Sequence, residues 1–200
     1  MPQEHYFSAD PQSQGTRREI EFHAAGHDFV VETASGTFST SGLDKGTKIL
    51  LDEFAEFPKS GNVLDLGCGW GPISLAIAKH SPETTVWALD VNRRSLELVR
   101  SNAARHGLTN INPALASEIP SEISFDGIWS NPPIRVGKAV LRELMKTWLP
   151  RLAKGGRAML VVQKQLGADS LLAWIQAEFP ELEARRYSTD KGFRILEVTR

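Results

Sequence analysis

The stretch Val63-Leu64-Asp65-Leu66-Gly67-Cys68-Gly69-Trp70-Gly71 decides the fold. Its first four residues are apolar except for one acid, the pattern of a strand buried on both faces. Gly67, Gly69 and Gly71 follow, and they let the backbone turn tightly and pass close to a ligand. Pro72 to His80 then reads as a helix starting directly behind the turn. A dinucleotide-binding turn carries glycine at its first, third and sixth positions, but the sixth position from Gly67 is Pro72. Asp65 at the strand end would also repel a pyrophosphate. It suits a cation instead, such as an ammonium or a sulfonium-bearing amino acid. Asp90 ends the next strand nineteen residues after Gly71, where a carboxylate usually grips a ribose diol.

Outward from this turn the chain alternates strand and helix. Thr84 to Asp90 reads as a strand, and Asn92 caps a helix that runs to His106 and stops at Gly107. Asn110–Leu115 and Phe125–Ser130 read as further strands. Lys138 to Leu152 is the clearest helix, with Val140, Leu144, Trp148 and Leu152 recurring every four residues. Gly155-Gly156 turns into a strand over Arg157–Gln163, and a helix covers Ala168–Phe179. The strands Leu182–Tyr187 and Phe193–Thr199, joined by 188–192, end the pattern. Ahead of it, Arg18 to Thr33 alternates as a hairpin broken at Ala25-Gly26, and Asp44 to Phe57 is helical. This order predicts a doubly covered, mostly parallel sheet. We divide it as an N-terminal extension with a β-hairpin over 1–43 and one globular α/β unit over 44–200. Ligands bind such sheets beyond the carboxyl ends of the strands, near the switch in strand order.

The 200 residues are 41% hydrophobic and 24% charged, ordinary for one globular domain. Lys and Arg total 23 against 24 Asp and Glu, a net charge of −1, so a uniformly basic coat for nucleic acid is excluded. A single cysteine, Cys68, excludes a disulfide framework; Cys68 reads as a small packing residue. The five histidines have no metal-ligand spacing, and no metal is expected. No apolar run reaches the roughly 18 residues of a membrane span. The polar start lacks a signal peptide's apolar stretch, so a cytoplasmic location is expected.

Ser130-Asn131-Pro132-Pro133 ends the fourth core strand. Two prolines fix φ and lack N–H groups, giving a stiff loop whose carbonyls can face a pocket without an opposing donor. Asn131 adds a side-chain carbonyl. Two such acceptors can hold the hydrogens of a planar exocyclic NH₂ and draw its lone pair toward an electrophilic methyl. That nitrogen gains charge during transfer, so the acceptors bind the transition state best. Asn131, Pro132 and Pro133 are therefore the candidate catalytic residues.

The glycine turn with its two acids resembles the signature of class I S-adenosylmethionine-dependent methyltransferases, which implies a Rossmann-like, seven-stranded fold. Asn131-Pro132-Pro133 resembles the motif of amino-group methyltransferases. The chain as a whole resembles the catalytic domain of the ribosomal RNA small-subunit methyltransferase C group, in a short single-domain form. This rests on His5-Tyr6-Phe7-Ser8-Ala9-Asp10-Pro11, Gly36-Thr37-Phe38-Ser39, Leu43-Asp44-Lys45-Gly46-Thr47 and Asn131 to Lys138.

The resemblance implies methylation of a guanine N2 in small-subunit ribosomal RNA. It implies S-adenosylmethionine against Asp65, Gly67, Cys68, Gly69 and Gly71, and against Asp90, Val91, Asn92 and Asn131. Lys45, Gly46 and Thr47 are implied at its amino-acid end, where the start of the following helix attracts the carboxylate. Ala116 and Ser117 are implied at its adenine, with Glu118 adjacent. Ile134 stands where many relatives place a stacking aromatic, leaving Phe193 or Tyr187 to supply one. An RNA partner needs a basic rim. Arg135, Lys138, Lys164, Arg185, Arg186, Lys191 and Arg194 are candidates, with Ile134, Arg135, Lys138 and Phe193 as the substrate-binding set. Two alternatives share these motifs: a protein glutamine-amide methyltransferase, and a non-catalytic module that binds the cofactor or RNA.

Overall fold

The computed structural model describes residues 16–200, so the His5–Pro11 motif lies outside the described residues. The expected alternation becomes an antiparallel hairpin of β1 (Arg17–Ala24) and β2 (His27–Ala34). Ala25 and Gly26 take φ of 51° and 78°, as a two-residue type I′ turn requires. Phe22 stacks on Phe29 with ring centroids 4.8 Å apart, and Trp70 meets Phe22 edge-on. The hairpin is therefore packed against the glycine turn itself.

Helix α1 (Lys45–Leu51) follows. It is shorter than the helical pattern suggested, because the chain passes into a separate 3₁₀ turn at Phe54–Glu56. The repeating unit then runs β3 (Ser60–Leu66), α2 (Pro72–His80), β4 (Glu83–Leu89), α3 (Arg93–Arg105), β5 (Ile111–Ala114), β6 (Phe125–Ser130) and α4 (Lys138–Trp148). It ends with β7 (Leu152–Gln163), α5 (Ala168–Glu178), β8 (Glu183–Asp190) and β9 (Phe193–Thr199). The seven-stranded sheet has the order β5-β4-β3-β6-β7-β9-β8. Strands β3 to β7 pair in parallel, and β9 lies antiparallel to both its neighbours. The expected Rossmann-like methyltransferase fold and N-terminal hairpin are both present.

Two boundaries differ from the sequence reading. Helix α4 stops at Trp148 rather than Leu152, because Pro150 has no N–H and cannot continue the ladder. Gly155-Gly156 is not a turn ahead of a strand but an irregularity within β7, which already begins at Leu152. A Cβ on Gly156 would lie 2.8 Å from the Phe125 carbonyl, so the two strands can approach only at a glycine. Likewise β8 runs on through Asp190, and the turn reduces to Lys191-Gly192, with φ of 45° and 86°.

Apolar side chains cover both faces of the sheet. On one face Trp70, Leu75, Val99, Trp129, Met159 and Ile195 pack beneath the hairpin and α1 to α3. On the other Leu64, Ile128, Met145, Trp148, Leu160 and Ile175 pack beneath α4 and α5. Trp129 is 1% exposed, and truncating a buried aromatic of this size costs about 3–5 kcal/mol. The strand order reverses between β3 and β6, and there the glycine turn and Asn131 meet.

Candidate active site

A cleft of about 300 Å³ opens at this switch point, lined by Asp44, Gly67, Gly69, Asp90, Asn131, Pro132, Pro133, Ile134, Gln163 and Phe193, among others. The glycine turn enters it because Gly67, Gly69 and Gly71 adopt φ of 81°, 54° and 94°, a region that favours glycine. A Cβ on Gly67 or Gly69 would meet only Pro133 or Phe38, at 3.8 Å. The space above them is open to a ligand. Asp90 pins the turn: its carboxylate accepts from Gly69 N and Asn92 N, each at 2.9 Å. Burial raises its pKa, and the backbone donors oppose that rise.

Asn131 has a defined orientation. Its Nδ2 donates to Asp44 Oδ1 at 2.7 Å and to Thr47 Oγ1 at 3.0 Å. A carboxylate accepts only, so the amide nitrogen must face Asp44 and the carbonyl Oδ1 is left without a described partner. Asp44 also accepts from Gly46 N and Thr47 N at 2.8 and 3.1 Å, capping α1. The expectation that the start of α1 attracts a cofactor carboxylate fails here, because the Asp44 carboxylate already occupies those N–H groups.

A second expectation also changes. The proline carbonyls are not free of donors: Pro132 O accepts from Ile134 N at 2.8 Å and Pro133 O from Val136 N at 3.2 Å. Pro133, at φ −73° and ψ 73°, is the centre of an inverse γ-turn. The chain enters a 3₁₀ turn at Ile134–Val136, whose first N–H groups need acceptors. One lone pair of the Pro132 carbonyl remains.

Asp65 does not reach the cleft. It is fully buried, and its Oδ2 accepts from Ser74 N and Ser74 Oγ at 2.9 and 2.6 Å, capping the first turn of α2. Its Oδ1 has no partner among the described residues. Burial pushes the carboxyl up to about 7.

The other expected positions divide. Cys68 is buried behind the turn with its thiol pKa raised by burial, as a packing residue should be. Cys68 and Thr47 line a small hollow adjoining the cleft. Asn92 is fully buried and caps α3, its Oδ1 accepting from Arg94 N at 3.0 Å. Lys45, Val91, Ala116 and Ser117 are exposed, and these four, like Gly46 and Gly71, do not line the cleft. Glu118 turns back to accept from Leu115 N. Lys138 is exposed beside a hollow that shares Ile134 with the cleft. For Arg135 only the backbone, within the 3₁₀ turn, is described.

Phe193 enters the cleft wall because Lys191-Gly192 places it at the first position of β9. Its ring lies against Gly46, where an added Cβ would come within 2.9 Å. Tyr187 instead lies apart from the cleft, beside Arg185. Among the basic candidates, Arg185, Lys191 and Arg194 are ion-paired to Glu197, Asp190 and Asp169. Phe38, Ser95, Val161, Gln163 and Leu166 complete the lining; the sequence reading gave none of them a site role. Only Gln163 carried a usable signal, as the last residue of a core strand.

Open space above the glycines, the acids Asp44 and Asp90, and a free amide carbonyl fit a cationic donor next to an N–H-bearing acceptor. Among the described residues no group of three or more His, Cys, Asp or Glu is gathered to hold a metal, and no helix is long and apolar enough to cross a membrane.

Comparison with known proteins agrees with this geometry. The family model described as methyltransferase small domain matches residues 28–197. The uncharacterized protein YbxB of Bacillus subtilis (strain 168) is 34% identical over 198 residues, 98% of each chain. Ribosomal RNA small subunit methyltransferase C of Enterobacter sp. (strain 638) is 36% identical over 149 residues, 72% of this chain and 43% of that protein. The chain thus matches less than half the length of this second relative. Among solved structures, the T. thermophilus 16S rRNA N2 G1207 methyltransferase in complex with AdoMet and guanosine has a TM-score of 0.79. It shows 21% identity over 94% of this chain and 51% of that one. With the family model spanning most of its length, the chain belongs to the methyltransferase small domain family of S-adenosylmethionine-dependent enzymes.

Proposed function

We propose that this protein transfers a methyl group from S-adenosylmethionine to the exocyclic N2 of a guanine in small-subunit ribosomal RNA. The observation that carries this reading is the orientation of Asn131, whose amide nitrogen is held by Asp44 and Thr47. That hold turns a carbonyl acceptor toward the space above Gly67 and Gly69. The names of the methyltransferase C relatives supply the nucleobase and the RNA.

S-adenosylmethionine, when bound, supplies a sulfonium methyl as the electrophile. Gly67 and Gly69 would lie against it, with Asp44 and Asp90 providing negative charge around its cationic end. On the acceptor side, Asn131 Oδ1 and the remaining lone pair of the Pro132 carbonyl receive the two amino hydrogens. This localises the nitrogen lone pair out of the ring plane, toward the methyl. As the nitrogen becomes positive the two hydrogen bonds strengthen, so stabilisation grows toward the transition state. No strong base is needed beside Asn131, because the charged product nitrogen is acidic enough to lose its proton to water. Phe193 gives the base an apolar and π surface in place of an aromatic at Ile134.

The test is transfer of labelled methyl to small ribosomal subunits and to their naked RNA, followed by nucleoside analysis. N2-methylguanosine is the expected product. Alkali-stable label confined to protein would reject the proposal in favour of glutamine-amide methylation.

A further inference from the structure

We propose that Gln163 reads the edge of the target base, pairing with the N1–H and O6 of guanine while Asn131 holds N2. This rests on the methyltransferase reading above and deepens it. Gln163 is half-buried, lines the cleft, and its amide has no hydrogen-bond partner among the described residues. A sequestered amide left unpaired is costly unless a ligand completes it.

The sheet register sets where that amide stands. Strands β6 and β7 run parallel with Ser130 opposite Leu160, so Asn131, one residue on, faces the level of Val161. Side chains alternate along a strand. Val161 and Gln163 therefore share one face, the face on which Trp129 and Asn131 lie. Two residues of rise and one inter-strand spacing separate the Asn131 and Gln163 backbones by about 8 Å. That gap accepts a purine edge with one amide at each end. Gln163 also pairs directly with Phe193 across β7 and β9, so base platform and base reader are cross-strand neighbours.

The other polar groups of the cleft are committed elsewhere. Asp44 and Asn131 are bonded to each other. Asp90 is tied to the glycine turn, and Ser95 belongs to α3, the helix after β4. Gln163 alone stands on the far wall with a donor and an acceptor free.

That pair distinguishes the bases that carry an exocyclic amine. With guanine N2 at Asn131, the next groups along the edge are the N1–H donor and the O6 acceptor, and one amide satisfies both. With adenine N6 at Asn131, the next groups are the N1 acceptor and a C2–H, so one amide group stays unpaired. With cytosine N4 there, two acceptors follow, and the glutamine carbonyl would face O2.

The experiment uses two versions of a synthetic small-subunit RNA fragment spanning the methylated nucleotide. One carries guanine and the other 2-aminopurine, which keeps the N2 amine but lacks N1–H and O6. Wild-type protein should prefer guanine in kcat/KM. Gln163→Leu should shrink that preference by about tenfold or more, the scale of the lost hydrogen bonds. Gln163→Glu, whose carboxylate repels O6, should slow guanine methylation more than 2-aminopurine methylation. Calorimetric binding of S-adenosylhomocysteine should stay unchanged in both variants, which shows that each is folded. A guanine preference unchanged within twofold in Gln163→Leu overturns the assignment while the proposed function stands. Wild-type protein that methylates neither fragment overturns both.

Discussion

Replacing Asn131 by Asp tests whether the catalytic carbonyl depends on the Asp44 clamp. The change is nearly isosteric and keeps an acceptor oxygen, so a role for Asn131 as a bare acceptor predicts little loss. The structure predicts the opposite. An oxygen would replace Nδ2 at 2.7 Å from the Asp44 carboxylate. Two like charges at that distance repel by about 6 kcal/mol at an effective dielectric of about 20. Leaving a preferred rotamer costs only about 1 kcal/mol, so the new carboxylate rotates away and takes its acceptor out of line. We expect kcat to fall by about a hundredfold or more, the scale for losing one preorganised charge-stabilising group. Asn131→Ala should fall by a similar factor. The two variants should differ in pH dependence. Two adjacent carboxylates share a proton, with one pKa strongly raised, and the protonated form recovers a donor toward Asp44. Residual activity of Asn131→Asp should therefore rise from about pH 8 to about pH 6, while that of Asn131→Ala, corrected for the wild-type profile, stays flat. Initial rates of labelled methyl transfer to small-subunit RNA measure both, with calorimetry confirming cofactor binding. An Asn131→Asp protein with near wild-type kcat at pH 8 would refute the clamp.

Three further outcomes are expected. Without cofactor, burial holds the folded pKa of Asp65 at about 7, above its model value of 3.8. Its contribution to stability is therefore complete below the lower value and lost as pH rises through the higher one. Urea unfolding should show the stability of Asp65→Asn gaining on wild type between about pH 5 and about pH 8, and a gap that stays constant sinks this account. Gly69→Ala puts a Cβ at φ 54° into the space above the turn, so calorimetry should record cofactor affinity reduced about tenfold or more, and an unaltered isotherm would remove Gly69 from the seat. Phe193→Ala removes the base platform and should raise KM for RNA by about ten- to a hundredfold, with kcat changing less and Phe193→Tyr restoring binding; equal KM values would mean that nothing stacks there.

The parts of the fold set by local pattern were legible in the sequence. The apolar run before Gly67, the Ala25-Gly26 break and the capping Asn92 each act within a few residues. The misread boundaries depend on partners distant in the chain. Gly155-Gly156 looks like a turn until Phe125 is seen to lie against it, and 188–190 looks like a loop until β9 pairs with it. The site divides in the same way. Gly67, Gly69, Asp90 and Asn131 lie in the cleft because their motifs sit at strand ends. Asp65 has a motif position too, but side-chain alternation and the first turn of α2 decide where its carboxylate points. The Asp44–Asn131 bond joins residues 87 positions apart, and no local pattern reports such a contact. Gln163 acquires its place only from the register of three strands.

The reversal of strand order between β3 and β6 has an evolutionary corollary. In the proposed reading the methyl donor rests on loops from β3 and β4, while the acceptor rests on loops from β6, β7 and β9. The two specificities are thus encoded in separate segments of the gene. Substitutions after residue 130 can redirect the modification toward another amine without dismantling the donor seat, provided Asn131 keeps its bond to Asp44. New targets can then arise from changes in the distal half alone.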